Sequence, residues 1–143
     1  MDITNSDVKR FELIEHTADT GLVAYGSTLA EAFANAAYGM FSIIADLRTV
    51  RQVENCLIEL SEEDSETLLF EWLNSLIYFF DVETLLFRRF DMGEFDGYRL
   101  KATCHGEKYD SSRHHLKIGI KSATYHMLRV DKDKNEVQVI FDI

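Results

Sequence analysis

The chain has 143 residues, 46% of them apolar, which is a single-domain length with enough apolar side chain for a core and argues against a disordered chain. No apolar run approaches the roughly 20 residues of a membrane helix. Met1-Asp2-Ile3-Thr4-Asn5 has neither the basic start nor the apolar stretch of a signal peptide, so a cytoplasmic location is expected. The net charge of −10 comes almost wholly from one segment: between Gln52 and Phe87 there are nine acids and no Lys or Arg, a face that repels phosphate backbones and favours a basic protein partner.

Residues 1–9 read as a loose arm of one domain spanning 1–143. Lys9 to Glu15 predicts a strand with Phe11 and Leu13 on one face. The stretch Glu15-His16-Thr17-Ala18-Asp19-Thr20-Gly21 then places an imidazole and a carboxylate three residues apart, in a turn between two apolar runs. Such groups at a strand end need partners, and loops held by strands are where sites gather. Gly21 to Gly26 reads as a second strand. Thr28 as N-cap with Glu31 makes a capping box that opens a helix running to about Ala45. Leu29, Ala32, Phe33, Ala36, Met40, Phe41 and Ile44 form its buried stripe.

Val53, Leu57 and Ile58-Glu59-Leu60 suggest a strand within Thr49–Leu60. Ser65 is the predicted N-cap of a second helix over Glu66–Glu83, with Glu62 to Glu66 suited to its dipole. Apolar residues cover most of that helix, which makes it the core helix or one that shows a face to a partner. Leu86–Met92 and Tyr98–Cys104 flank a hairpin loop ending in Asp96-Gly97. Gly106 to His115 is a long polar loop holding Glu107, Asp110 and His114, either a ligand or catalytic set or an ordinary surface cluster. Leu116–Lys121 reads as a strand, and Thr124–Val130 pairs with Val137–Phe141 across Asp131–Asn135. That turn lacks the Gly and terminal Glu of an EF-hand. About seven or eight strands and two helices without βαβ alternation predict an α+β fold, a two-layer arrangement with a mostly antiparallel sheet covered by the helices.

Cys56 and Cys104 fit no metal spacing and read as reduced thiols. There is no Gly-rich phosphate loop, no Gly-x-Ser-x-Gly elbow and no Cys-x-x-Cys pair, so no recognisable nucleophile supports a stand-alone enzyme. At Val139-Ile140-Phe141-Asp142-Ile143 the sequence given ends inside an apolar strand, setting Asp142 beside a terminal carboxylate. Two anions that close repel unless a cation joins them. Asp19 would add a third carboxylate and His16 an imidazole, an oxygen-rich set suited to Ca²⁺ or Mg²⁺ rather than zinc. A frayed end with solvated charges is the alternative. Lys121, Tyr125 and His126 fall on one edge strand, with Lys121 and His126 facing solvent or anions.

Taken together, Glu15-His16-Thr17-Ala18-Asp19, Thr28-Leu29-Ala30-Glu31-Ala32-Phe33, Glu71-Trp72-Leu73-Asn74, Gly106-Glu107 with Asp110 and His114, Lys121-Ser122-Ala123-Thr124-Tyr125-His126 and Ile140-Phe141-Asp142-Ile143 resemble the archease family over about residues 11–143. The resemblance implies a protein cofactor, not an enzyme, that acts on an RtcB-type tRNA-splicing RNA ligase. It would promote guanylylation of the ligase's active-site histidine, support multiple turnover and broaden nucleotide use, with tRNA met only indirectly through the ligase. It also implies a divalent-metal site, calcium by family usage, with magnesium and manganese accepting the same donors. The ligands fall on Asp19, Asp142 and Ile143, the last through a backbone or terminal oxygen. His16 is expected to orient that cluster, and Glu107, Asp110, His114, Lys121 and His126 to support it or meet the partner. Thr20, Leu22 and Ser122 depart from the family pattern without removing a ligand. Two other readings remain: a small metal-dependent phosphoester hydrolase using His16, Asp19 and Asp142, and a chaperone-like module working through the aromatic second helix.

Overall fold

The computed structural model describes residues 9–15 and 20–143. In chain order it contains β1 (Phe11–Glu15), β2 (Thr20–Tyr25), α1 (Leu29–Ile44), a 3-10 turn (Leu47–Thr49), β3 (Glu54–Ser61), α2 (Ser65–Glu83), β4 (Leu85–Phe95), β5 (Arg99–Lys108), β6 (Ser122–Ala123), β7 (Arg129–Asp131) and β8 (Glu136–Asp142). The α+β class holds. The strands divide between two sheets: one runs β1-β2-β8-β6 with β7 also on β8, the other β3-β5-β4. Each strand pairing is antiparallel.

Helix α1 explains the division. It lies against both sheets, so it buries more than one stripe. Gly39 meets Leu22 and Phe11 on one side. On the other, Phe41 packs on Phe87 and Phe90, with ring centroids 5.8 and 5.9 Å apart. Ala37 and Ile43, outside the predicted stripe, are buried too. Each fully buried Phe, Met, Leu or Ile side chain contributes roughly 1.5–3 kcal/mol, and an alanine less. Helix α2 joins the same core through Leu68, Leu69, Trp72, Leu73, Leu76 and Ile77. The indole N–H of Trp72 donates to the Phe33 carbonyl at 3.0 Å, which pairs this buried donor and fixes α2 against α1.

Local signals acted with small shifts. The Thr28 hydroxyl accepts the Glu31 N–H at 3.1 Å, as expected, but the Glu31 carboxylate reaches Ser27 N–H at 2.7 Å, one residue earlier than a standard box. The cap of α2 is Asp64, not Ser65: its carboxylate accepts Thr67 N–H at 2.7 Å. Ser65 is drawn inside because its buried hydroxyl donates to Gly97 O at 2.6 Å, tying the helix start to the β4–β5 turn. Leu116–Lys121 is not a strand. It makes one bridge, Ala45 to Leu116, and of residues 117–121 only Ile120 is buried. Its backbone is tied at its two ends instead, Lys117 N–H donating to Ile44 O at 2.7 Å after α1 and Lys121 N–H to Asp142 O at 2.8 Å. Thr124–Val130 is broken by a turn in which Leu128 N–H donates to Tyr125 O at 3.2 Å and Met127 takes a φ of 54°. Strand β6 is therefore two residues long and β7 three.

Candidate functional site

The end of β8 lies in the middle of the larger sheet. On one side Thr20 of β2 faces Phe141; on the other Ser122 of β6 faces Asp142. Lys121 N–H donates to Asp142 O at 2.8 Å, and Thr124 N–H to Ile140 O at 3.0 Å. Alternation then turns successive side chains to opposite faces. Phe141 goes fully into the core, whereas Asp142 is exposed and Ile143 is 39% exposed. Among the described residues the Asp142 carboxylate has no hydrogen-bond or ion-pair partner. His16 and Asp19 lie outside the described residues. Among the described residues there is no group of three or more His, Cys, Asp or Glu able to hold a metal ion. The donors present, the Asp142 carboxylate on hydrogen-bonded backbone and the Ile143 backbone oxygen just beyond the end of β8, are hard oxygens, and their chemistry fits a calcium- or magnesium-like cation rather than zinc.

Lys121 precedes β6 and is exposed. Tyr125 stacks on Phe70 of α2 with centroids 4.1 Å apart, and the Gln138 amide donates to Met127 O at 3.0 Å, so the turn carrying exposed His126 is held from two sides. The Glu107 cluster is of another kind. Glu107 and His114 are each only 5% exposed. Glu107 accepts from the Arg113 guanidinium, from Arg51 N–H at 2.7 Å and from His114 Nε2 at 2.8 Å. The other imidazole nitrogen, Nδ1, accepts Asp110 N–H at 2.8 Å, so the ring hydrogen sits on Nε2 and is donated to Glu107. Burial alone would push the Glu107 carboxyl up, but Arg113, the Arg51 N–H and His114 together hold it down at about 2. Asp110 is exposed and spends its carboxylate on Ser112, whose hydroxyl and N–H lower its pKa and close the turn. The network pins the segment after β5, and none of its buried polar atoms lacks a partner.

Sequence reasoning found Glu107, Asp110 and His114 but missed Arg51 and Arg113, one distant in sequence and the other an unremarked loop cation. It also missed the exposed network on the open face of the smaller sheet, where Arg89 grips Asp91 at 2.8 Å and His105 meets the same carboxylate at 2.9 Å. The two thiols, unrelated in sequence, are directly opposed across β3 and β5. Burial pushes both up, Cys104 most strongly. Neither is a ready nucleophile.

A model of the Archease protein family matches residues 11–143, the extent over which the motifs lie. The protein archease of Thermococcus gammatolerans is 43% identical over 129 residues, covering 87% of this chain and 90% of its own. That of Methanosarcina mazei is 38% identical over 144 residues, covering 96% and 99%. The solution structure of Methanobacterium thermoautotrophicum protein 1598 superposes with a TM-score of 0.76 at 32% identity, covering 95% of this chain and 100% of that one. A Thermotoga maritima crystal structure, described as an archease and possible chaperone, gives 0.61 at 23% identity over 91% and 94% of the two chains, which bears on the fold alone. Motif order, sheet topology and these matches agree: the chain belongs to the archease protein family.

Proposed function

We propose that this protein is an accessory factor of an RtcB-type tRNA-splicing RNA ligase, promoting guanylylation and multiple turnover of the ligase without catalysing a reaction of its own. The observation that carries the reading is the Asp142 edge: an exposed carboxylate, without a cationic partner among the described residues, on a backbone held from both sides. Asp142, the Ile143 oxygen and Asp19 would hold a divalent cation, calcium being the first choice for three hard oxygens. A bound cation there supplies charge stabilisation to a phosphoryl group in a neighbouring active site. The chain's own part is to bind and orient. β2 and β6 fix the height of β8, exposed Lys121 adds a positive charge beside the edge, and the Tyr125–His126–Met127 turn extends the same rim. His16 is the candidate to orient Asp19. The absence of a recognisable nucleophile favours an activator over the hydrolase reading.

A second reading has one observation behind it. Tyr78 and Val82, one turn apart on α2, are 55% and 60% exposed, and the Thermotoga protein of the same fold is described as a possible chaperone. The deciding experiment measures guanylylation of a cognate ligase with this protein, with a chelator, and with Asp142→Asn and Tyr78→Ser variants. The activator reading expects stimulation to vanish with chelator and with Asp142→Asn, and to survive Tyr78→Ser. Full stimulation by folded Asp142→Asn overturns it, and phosphoester turnover by the purified protein alone would replace it with the hydrolase.

A further inference from the structure

Strand β6 has only two residues, yet it forms one wall of the Asp142 edge. A ladder that short does not hold itself. Thr124 and Ile140 are a hydrogen-bonded pair, since Thr124 N–H donates to Ile140 O. Antiparallel alternation then makes Ala123 and Phe141 a non-bonded pair, with the N–H and C=O of Ala123 pointing away from β8. Ala123 is only 2% exposed, so water does not serve those groups. Asn74 of α2 serves both: its Oδ1 accepts Ala123 N–H at 2.9 Å and its Nδ2 donates to Ala123 O at 3.4 Å. One carboxamide thus takes the place of a further strand. It is half-buried and sits next to the buried Trp72 and Leu73, with Leu76 and Ile77 following.

We infer that Asn74 is a positioning residue for the Asp142 edge: by clamping Ala123 it sets β6, and through β6 the backbone that carries Asp142. This rests on the cation reading proposed above. The path is continuous, from the Asn74 amide to Ala123, to Ser122 facing Asp142, and to the Lys121 N–H on the Asp142 carbonyl. It has a further consequence: α2 is mechanically joined to the edge, and the Phe70–Tyr125 stack makes the same connection one turn earlier on the helix.

The test titrates calcium alone, by calorimetry, into the full chain and into Asn74→Leu, Asn74→Ala, Asn74→Gln and Asp142→Asn, with amide exchange measured in parallel. Leucine keeps the size of asparagine and removes both hydrogen bonds without adding charge. Alanine, which lets water reach Ala123, serves where the leucine variant does not fold. Calcium affinity is expected to fall about tenfold in the Leu and Ala variants, as when a group supporting a metal ligand is lost. The Ala123 amide should exchange faster while amides of the Leu69–Leu76 core keep their protection, and glutamine, which retains both hydrogen-bonding groups, should recover part of the affinity. Wild-type affinity in both Leu and Ala variants, with Ala123 exchange accelerated, overturns the positioning role and leaves the cation reading standing. No calcium binding by the unaltered chain, or full binding by Asp142→Asn, instead removes the cation reading and the role of Asn74 with it.

Discussion

Two carboxylates in family motifs, Glu107 and Asp142, meet opposite fates in one fold. Glu107 is buried and carries three donors, from Arg113, Arg51 and His114, so its charge is compensated where it stands. Asp142 is exposed on a strand paired on both sides, and among the described residues nothing compensates it. A buried acid without partners is costly, so the first arrangement is what folding demands. The second demands nothing for stability and leaves a charge free to meet an external one. Shared motif membership therefore does not make a site: one motif acid holds the molecule together, while the other is available.

The largest effect should come from breaking the closed region. A Cβ on Gly106 would lie 1.8 Å from the Leu86 carbonyl oxygen, a backbone atom that cannot swing aside. Gly106→Ala should therefore lower stability by roughly 3 kcal/mol, read as a denaturant midpoint, and an unchanged midpoint would show that β4 and β5 yield freely at their bulge. Next is Glu107→Gln, which keeps the shape but removes the charge that three donors face, with an expected loss of about 2 kcal/mol. Its acid dependence sharpens the contrast. The folded pKa of Glu107, about 2, lies below its ordinary 4.5, so the unfolded chain binds more protons between those values. Its contribution is complete above 4.5 and is lost as pH falls through that window towards about 2. Midpoints taken at about pH 6 and pH 3 should therefore fall less in Glu107→Gln than in the unaltered chain. Equal losses would mean that other carboxylates carry the acid response. Smallest is Asp142→Asn: its stability should stay within about 0.5 kcal/mol of the parent, and a larger drop would give Asp142 a structural part like that of Glu107.

What could be read beforehand was local. The Thr28 cap, the α1 stripe and the Asp96-Gly97 hairpin each rest on residues a few positions apart, and each formed. Asp64 and Ser65 are both able caps, and the choice between them was made by Gly97, 32 residues away from Ser65, which engages the serine hydroxyl. The division into two sheets follows from α1 being buried on opposite sides, which no single-stripe pattern announces. In the Glu107 cluster the spacing exposed three members, but Arg51, 56 residues from Glu107, could enter only through the fold. Asn74 was visible as a lone amide in an apolar helix, and nothing in its neighbours named Ala123 as its partner. For the Asp142 edge, the sequence supplied Asp142 and Ile143, and the register supplied Thr20 and Ser122 as their flanks; His16 and Asp19 fall in the stretch not described.

The single indole of this chain, Trp72, is completely enclosed and tethered to the backbone of α1. The molecule thus carries a built-in optical gauge of its interior. Its emission should sit toward the blue while α1 and α2 remain docked and move red when solvent enters. Because this fluorophore belongs to the interior and not to the rim, light from it can distinguish a variant that has lost its architecture from one that has lost only its errand.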